Sequence, residues 1–301
     1  MMTWFEFSHQ SRRLRVSRLA EEVATATAKI NDIEMYYEEH GSPSAEPVVL
    51  IMGFGLSCAA WAPQIAPLSE RYRVVAFDNR GAGRTSQPPG AYTIPQMAED
   101  TRGLLDHLGV DSAHIIGQSM GGMIAQELAL RHAERVRSLV LMCTTPGGPH
   151  EAGHDILVAD VERGLAIEKI EDAVTPESLQ EYALRMFTPE FLKSPGPGFA
   201  QMVGAVMQHP QNLDGMKGQA QASRDHDTFD RLPQIIADTL VIAGAGDPWI
   251  LPENSHILAE RIPNAELYIV KGARHGFMAE KPDEVNRVIL DFLARREAAA
   301  A

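Results

Sequence analysis

Gly117-Gln118-Ser119-Met120-Gly121 is the stretch on which the reading of this chain turns. It stands at the end of a short apolar run, His114–Gly117, and opens the segment Met120–Arg131, whose apolar residues recur at helical spacing. A serine in a Gly-x-Ser-x-Gly frame between strand and helix sits on a strained turn. Both flanking positions are then too crowded for a side chain, which is the physical reason for the two glycines. Gly122 follows and leaves room for close helix–strand packing.

A serine hydroxyl is a weak nucleophile unless a base takes its proton and an acid orients that base. Two later loops supply such groups. Gly244-Ala245-Gly246-Asp247 follows the apolar run Thr239–Ala243, and Gly272-Ala273-Arg274-His275-Gly276 follows Glu266–Val270. Both therefore fall at the carboxyl ends of strands, the edge where parallel sheets bind their ligands. The chain order Ser119, Asp247, His275 is the Ser…Asp…His order that accompanies this type of turn.

Working outward, strands are predicted at Ile33–Tyr37, Val48–Met52, Arg73–Phe77 and Ser138–Met142 besides the three already named. Amphipathic helices are predicted at Ile94–Leu108, Met120–Arg131, Pro252–Arg261 and Pro282–Arg295. Strand–helix alternation with continuously apolar strands means a mostly parallel sheet covered on both faces, an α/β fold. The rhythm breaks between about Pro146 and Pro233, where helical patches (Leu157–Ala166, Glu177–Phe187) flank Ser194-Pro195-Gly196-Pro197-Gly198. The expected organisation is an N-terminal extension over 1–26, core over 27–145, a helical cap insertion over 146–232, and core again over 233–301. Trp4, Phe5 and Phe7 ahead of Arg12, Arg13, Arg15 and Arg18 mark either a docking arm or a loose terminus. The acids Glu21 and Glu22 stand where the apolar part of an export signal would be.

The chain's 301 residues are enough for a full core, and 45% hydrophobic with 22% charged residues excludes wholesale disorder. Twenty-seven basic against forty acidic residues give a net charge of -13, which argues against a nucleic acid or an anionic membrane as partner. No run approaches the roughly eighteen apolar residues of a membrane helix. The two cysteines, Cys58 and Cys143, have neither disulfide-framework nor metal spacing, so a cytoplasmic setting is expected.

These motifs together resemble the α/β-hydrolase-fold serine hydrolases. Four pieces carry the resemblance: Met52-Gly53-Phe54-Gly55, Asp78-Asn79-Arg80-Gly81-Ala82-Gly83-Arg84, the serine turn, and the Asp247 and His275 loops. Their wording is similar to esterases and lactonases of the group containing enol-lactonases and polyketide methylesterases. The resemblance implies Ser119 as nucleophile, His275 as general base and then acid, and Asp247 as the orienting carboxylate. It further implies an oxyanion hole from the backbone N–H groups of Phe54 and Met120, with no cofactor and no metal. Met52 departs from the histidine many relatives carry there, and Thr85 from the usual serine; neither is central, since donation is by backbone.

The expected substrate is a small-molecule carboxylic ester or lactone with an apolar portion, and the expected assembly a monomer or homodimer. Thirteen methionines and several aromatics point to a pliable apolar cleft. Phe54, Met120, Phe187, Trp249 and Phe277 are the expected substrate contacts. Carbon–carbon bond hydrolases share the same motifs, and their discriminator is an arginine-bearing pocket, for which Arg185, Arg224 and Arg274 are the candidates. A hydrolase-like small-molecule receptor is the reading from another class. Gly53-Phe54-Gly55 with Asp78 also outlines a dinucleotide-binding unit, but Cys58 stands where the last glycine should be. Asp78 and Arg80 read better as a structural turn network. His150, His154 and His226 read as solvated loop histidines.

Overall fold

The computed structural model describes residues 24–173, 175–196 and 198–300. The N-terminal residues singled out above, including Trp4, Phe5, Phe7 and the arginine cluster, lie outside the described residues.

Eight strands form one sheet: β1 (Ala24–Ile30), β2 (Ile33–His40), β3 (Pro47–Ile51), β4 (Arg73–Phe77), β5 (Ala113–Gln118), β6 (Val136–Met142), β7 (Thr239–Gly244) and β8 (Ala265–Val270). Their order is β1-β2-β4-β3-β5-β6-β7-β8. β1 pairs with β2, and β2 with β4, antiparallel; every pairing from β4 through β8 is parallel. β3, β4, β5 and β7 are buried along nearly their whole length, as strands covered on both faces must be. The seven predicted strands are all present. β1 is additional, and it extends the sheet three residues before position 27.

Helices α1 (Ala62–Ser69), α2 (Ile94–His107) and α3 (Met120–Arg131) cover the sheet in its first half. α4 (His154–Ala166), α5 (Ile170–Ala173), α6 (Pro176–Met186), α7 (Pro189–Lys193), α8 (Phe199–Met207) and α9 (Leu213–Arg224) lie between β6 and β7. α10 (Glu253–Arg261), α11 (Phe277–Glu280) and α12 (Pro282–Ala300) complete the chain. Two apolar clusters, one on each sheet face, form the core. Where the helical segment leaves and rejoins the sheet, its ends are pinned together. Gly147 bridges Asp227, and the Thr228 N–H donates to the Pro146 carbonyl at 2.8 Å.

Buried charge fixes the loop after β4. The Arg80 side chain is 2% exposed and donates to Asp100 (2.7 and 3.0 Å) and Asp32 (2.5 and 3.1 Å). Asp78 accepts instead from the Cys58 N–H at 2.7 Å and from the backbone and side chain of Arg84. Asp78 and Arg80 thus both hold this turn structurally, through two separate networks. Asp78 is fully buried, and both of its oxygens serve these structural donors.

Candidate active site

Ser119 sits between β5 and α3 with φ 55° and ψ −121°, a conformation that costs a non-glycine residue about 1–3 kcal/mol. The crowding that demands glycine is measurable. A Cβ on Gly117 would lie 2.3 Å from the Gly121 carbonyl oxygen, and one on Gly121 would lie 2.0 Å from that of Ile51. The turn is tied down by the Ser119 N–H donating to Met142 and by the Thr144 hydroxyl donating to the Ser119 carbonyl, each at 2.8 Å. β3, β5, β6, β7 and β8 deliver Phe54, Ser119, Cys143, Asp247 and His275 to one edge of the sheet.

His275 Nδ1 lies 2.6 Å from Asp247 Oδ2, with both side chains buried. The other oxygen of Asp247 accepts the backbone N–H groups of Trp249 (2.9 Å) and Ile250 (3.0 Å), which fixes the carboxylate's orientation. Burial alone would pull the imidazolium pKa down. The Asp247 carboxylate, helped by Cys143, outweighs that and holds His275 well above its usual value. Trp249 lies against the imidazole, ring centroids 5.4 Å apart.

Cys143 is buried behind these groups. Its thiol donates to the His275 carbonyl at 3.5 Å and accepts from Gln118 Nε2 at 3.2 Å. The ligand-type atoms of Cys143, Asp247 and His275 lie within 4.8 Å of one another, the one such cluster among the described residues. Two of those atoms are already spent on the His275–Asp247 bond.

A cavity of about 160 Å³ opens on Ser119 and His275. Phe54, Met120 and Trp249, named above as expected substrate contacts, line it. Phe187 and Phe277 do not line it. Phe187 packs at a tilt against Phe191 and edge to face with Phe199 and lies over Gly276, while Phe277 is fully buried in the core. The wall also includes Leu157, Asp160, Val161 and Gly164 from one face of α4, and Met216, Ala220 and Ser223 from one face of α9. Their i, i+3/i+4, i+7 spacing was the available signal.

Asp160 is the carboxylate on this wall, and Arg163 and Arg185 pair with it. Of the histidines read as solvated, His226 is instead 3% exposed, and neither ring nitrogen has a hydrogen-bond partner. His150 stacks on Phe229, and His154 Nδ1 lies 2.9 Å from Glu151.

Among the described residues, no helix is long and apolar enough to cross a membrane. The family model of the alpha/beta hydrolase fold matches residues 46–282. Among curated relatives, proteins named "Putative carbamate hydrolase RutD" are similar along nearly their whole length. That of Azorhizobium caulinodans is 30% identical over 87% of this chain and 95% of its own. That of a Caulobacter species is 31% identical over 86% and 96%. Among solved structures, the enol-lactonase of Burkholderia xenovorans superposes with a TM-score of 0.79 at 28% identity, covering 89% of this chain and all of that one. A hydrolase from Pseudomonas aeruginosa gives 0.78 at 28% identity over 91% and 99%. The strained serine turn, the parallel sheet that carries it and a family match over most of the length agree: this chain belongs to the α/β hydrolase fold family and is a hydrolase.

Proposed function

We propose that the protein is a serine hydrolase that cleaves small, uncharged carboxylic esters or lactones through an acyl-enzyme. Ser119 Oγ attacks the carbonyl while His275 takes its proton, and Asp247 holds the imidazole with Nδ1 protonated and Nε2 free to accept. The backbone N–H groups of Phe54 and Met120 hold the oxyanion. Main-chain donors next to the nucleophile need no reorganisation as the charge develops, which is where most of the barrier reduction arises. His275 then returns its proton to the leaving alcohol, and water releases the acyl group by the reverse sequence. Helices α4–α9 serve as a cap whose α4 and α9 faces close the cavity over Ser119.

The observation that carries the substrate class is the cavity wall. It is built from Phe54, Leu56, Met120, Met123, Leu157 and Trp249 among other apolar groups, and no arginine lines it among the described residues. Arg185 pairs with Asp160 and Glu181, Arg224 with Asp225, and Arg274 donates to the Leu184 carbonyl. A substrate carboxylate of the kind a carbon–carbon bond hydrolase binds would meet no guanidinium on this wall, and Asp160, a carboxylate itself, lines it. The carbamate in the relatives' name presents a carbonyl that the same nucleophile and donors accept. An apolar wall, however, gains most from a hydrocarbon acyl or alcohol part. The volume is close to that of an apolar cavity of about 150 Å³ that takes benzene, so about six carbons fill it.

The test is steady-state hydrolysis of p-nitrophenyl esters from acetate to decanoate beside a p-nitrophenyl carbamate. The expected result is a kcat/KM maximum near butyrate to hexanoate that exceeds the carbamate value. Inertness on every ester overturns the proposal. Slow single-turnover cleavage with a large ligand-induced rise in Tm moves the protein to the receptor reading.

A further inference from the structure

The loop that presents the Phe54 N–H is held from two sides, and only one of the holds comes from the sheet. Upstream, Asn79 Nδ2 donates to the Met52 carbonyl at 2.6 Å. Downstream, the N–H of Gly55 donates to Gln219 Oε1 at 2.8 Å. Gln219 belongs to α9, 164 residues further along the chain, and is fully buried. Both polar atoms of its amide are engaged. Oε1 also accepts from Gln211 Nε2 at 2.8 Å, and Nε2 donates to the Arg80 carbonyl at 2.8 Å. Gln211 donates in turn to the Gly81 carbonyl at 2.7 Å. The amide orientation is set by this network, because a flipped Gln219 would point N–H groups at the Gly55 N–H and oxygen at the Arg80 carbonyl.

From this geometry we infer that Gln219 is a positioning residue for the oxyanion hole, an inference that rests on the serine-hydrolase reading above. With Met52 clamped by Asn79 and Gly55 by Gln219, the Phe54 N–H between them keeps one direction. The second clamp exists only while α9 is docked, so the helical segment completes the catalytic site as well as walling the cavity. Ala220 and Ser223 of the same helix line that wall, so substrate that presses α9 home also aligns the donor. An oxyanion donor acts through its geometry toward the tetrahedral state, and a loosened clamp therefore lowers kcat more than it raises KM.

The test uses Gln219→Met, similar in length but without either polar atom, and Gln219→Glu, which keeps an acceptor for Gly55 and loses the donor to Arg80. Kinetics on p-nitrophenyl butyrate are read beside inhibition by n-butylboronic acid, whose tetrahedral adduct places an oxygen in the oxyanion position. Gln219→Met is expected to lower kcat roughly tenfold to hundredfold with KM within about threefold, and to weaken the boronic acid by the same factor. Gln219→Glu is expected to fall between it and wild type. If Gln219→Met does not fold, Gln219→Asn carries the test, since it withdraws the same amide by one methylene and has the same expected effect. A folded variant with wild-type kcat, or one that loses kcat with undiminished boronic acid affinity, overturns the inference. Ser119→Ala run alongside separates the two levels. If it is inert while the Gln219 variants match wild type, only the positioning role falls; if it retains turnover, the serine-hydrolase reading falls with it.

Discussion

Replacing Asp247 with asparagine tests whether the buried carboxylate does electrostatic and tautomeric work on His275. In the native site Oδ1 is occupied by the N–H groups of Trp249 and Ile250, and Oδ2 faces His275 Nδ1 at 2.6 Å. An asparagine must keep its oxygen toward the two backbone donors, so its NH₂ turns to the imidazole. Nδ1 then becomes the acceptor and the ring proton moves to Nε2, the nitrogen that must accept from Ser119. The lost charge adds to this: a pair about 4 Å apart is worth about 4 kcal/mol at an effective dielectric of 20. At about 1.4 kcal/mol per decade that is roughly three decades of rate, and the wrong tautomer brings the expected loss in kcat to about 10³–10⁴-fold.

The pH profile gives an independent reading with a defined sign. In the proposed mechanism neutral His275 is the base, so kcat/KM should rise with pH through its pKa. Because Asp247 holds that pKa above the ordinary 6.5, the wild-type acid limb should lie above pH 6.5. In Asp247→Asn the residual activity should show its acid limb at lower pH. Stopped-flow or plate-reader rates on p-nitrophenyl butyrate from pH 5 to 9 measure both. An unchanged plateau, or a limb displaced to higher pH, would refute the assignment.

Two further consequences follow from particular side chains. Gly164 faces the cavity with open space where a Cβ would stand, so Gly164→Leu should fill it. Hexanoate hydrolysis is then expected to fall roughly tenfold or more while acetate stays within about threefold, and equal losses on both esters would contradict the placement. His226 is buried and held neutral, with its pKa pushed down by desolvation from 6.5 to about 4. A depressed folded value means the full stability is present above pH 6.5 and is lost as pH falls toward 4, to a total of about 3 kcal/mol. Urea midpoints at pH 7 and pH 4.5 should therefore drop less in His226→Leu than in wild type; parallel drops would show that this histidine is not the acid-sensitive group.

What the sequence made legible was whatever is enforced locally. The glycines around Ser119 are required by backbone contacts of 2.0 and 2.3 Å within and beside the turn, so the motif carries its own geometry. Seven strands were readable as continuous apolar runs because both of their faces are covered. β1 was not, since Ala-Thr-Ala-Thr-Ala-Lys-Ile at the sheet edge is too weakly apolar to announce itself. Errors gathered where long-range packing decides. His226, between two aspartates, looked solvated but is folded inward beside Gly147. Phe277, two residues from His275, was taken for a pocket wall, yet it turns into the core beneath the sheet. The structural role read for Arg80 had no readable partners, since Asp100 and Asp32 lie 20 and 48 positions away. The hold of Gln219 on Gly55 spans 164 positions and has no local signature at all.

The proposed nucleophile, Ser119, is tested most directly by its removal. Wild type and Ser119→Ala, both checked for folding by thermal melt, should be compared on p-nitrophenyl butyrate with a pre-steady-state trace. The expected result is a wild-type burst of p-nitrophenol approaching one equivalent per active site if deacylation is the slow step, and a fall of at least about 10⁴-fold in turnover with no burst in the variant. Turnover in Ser119→Ala within about tenfold of wild type would contradict it.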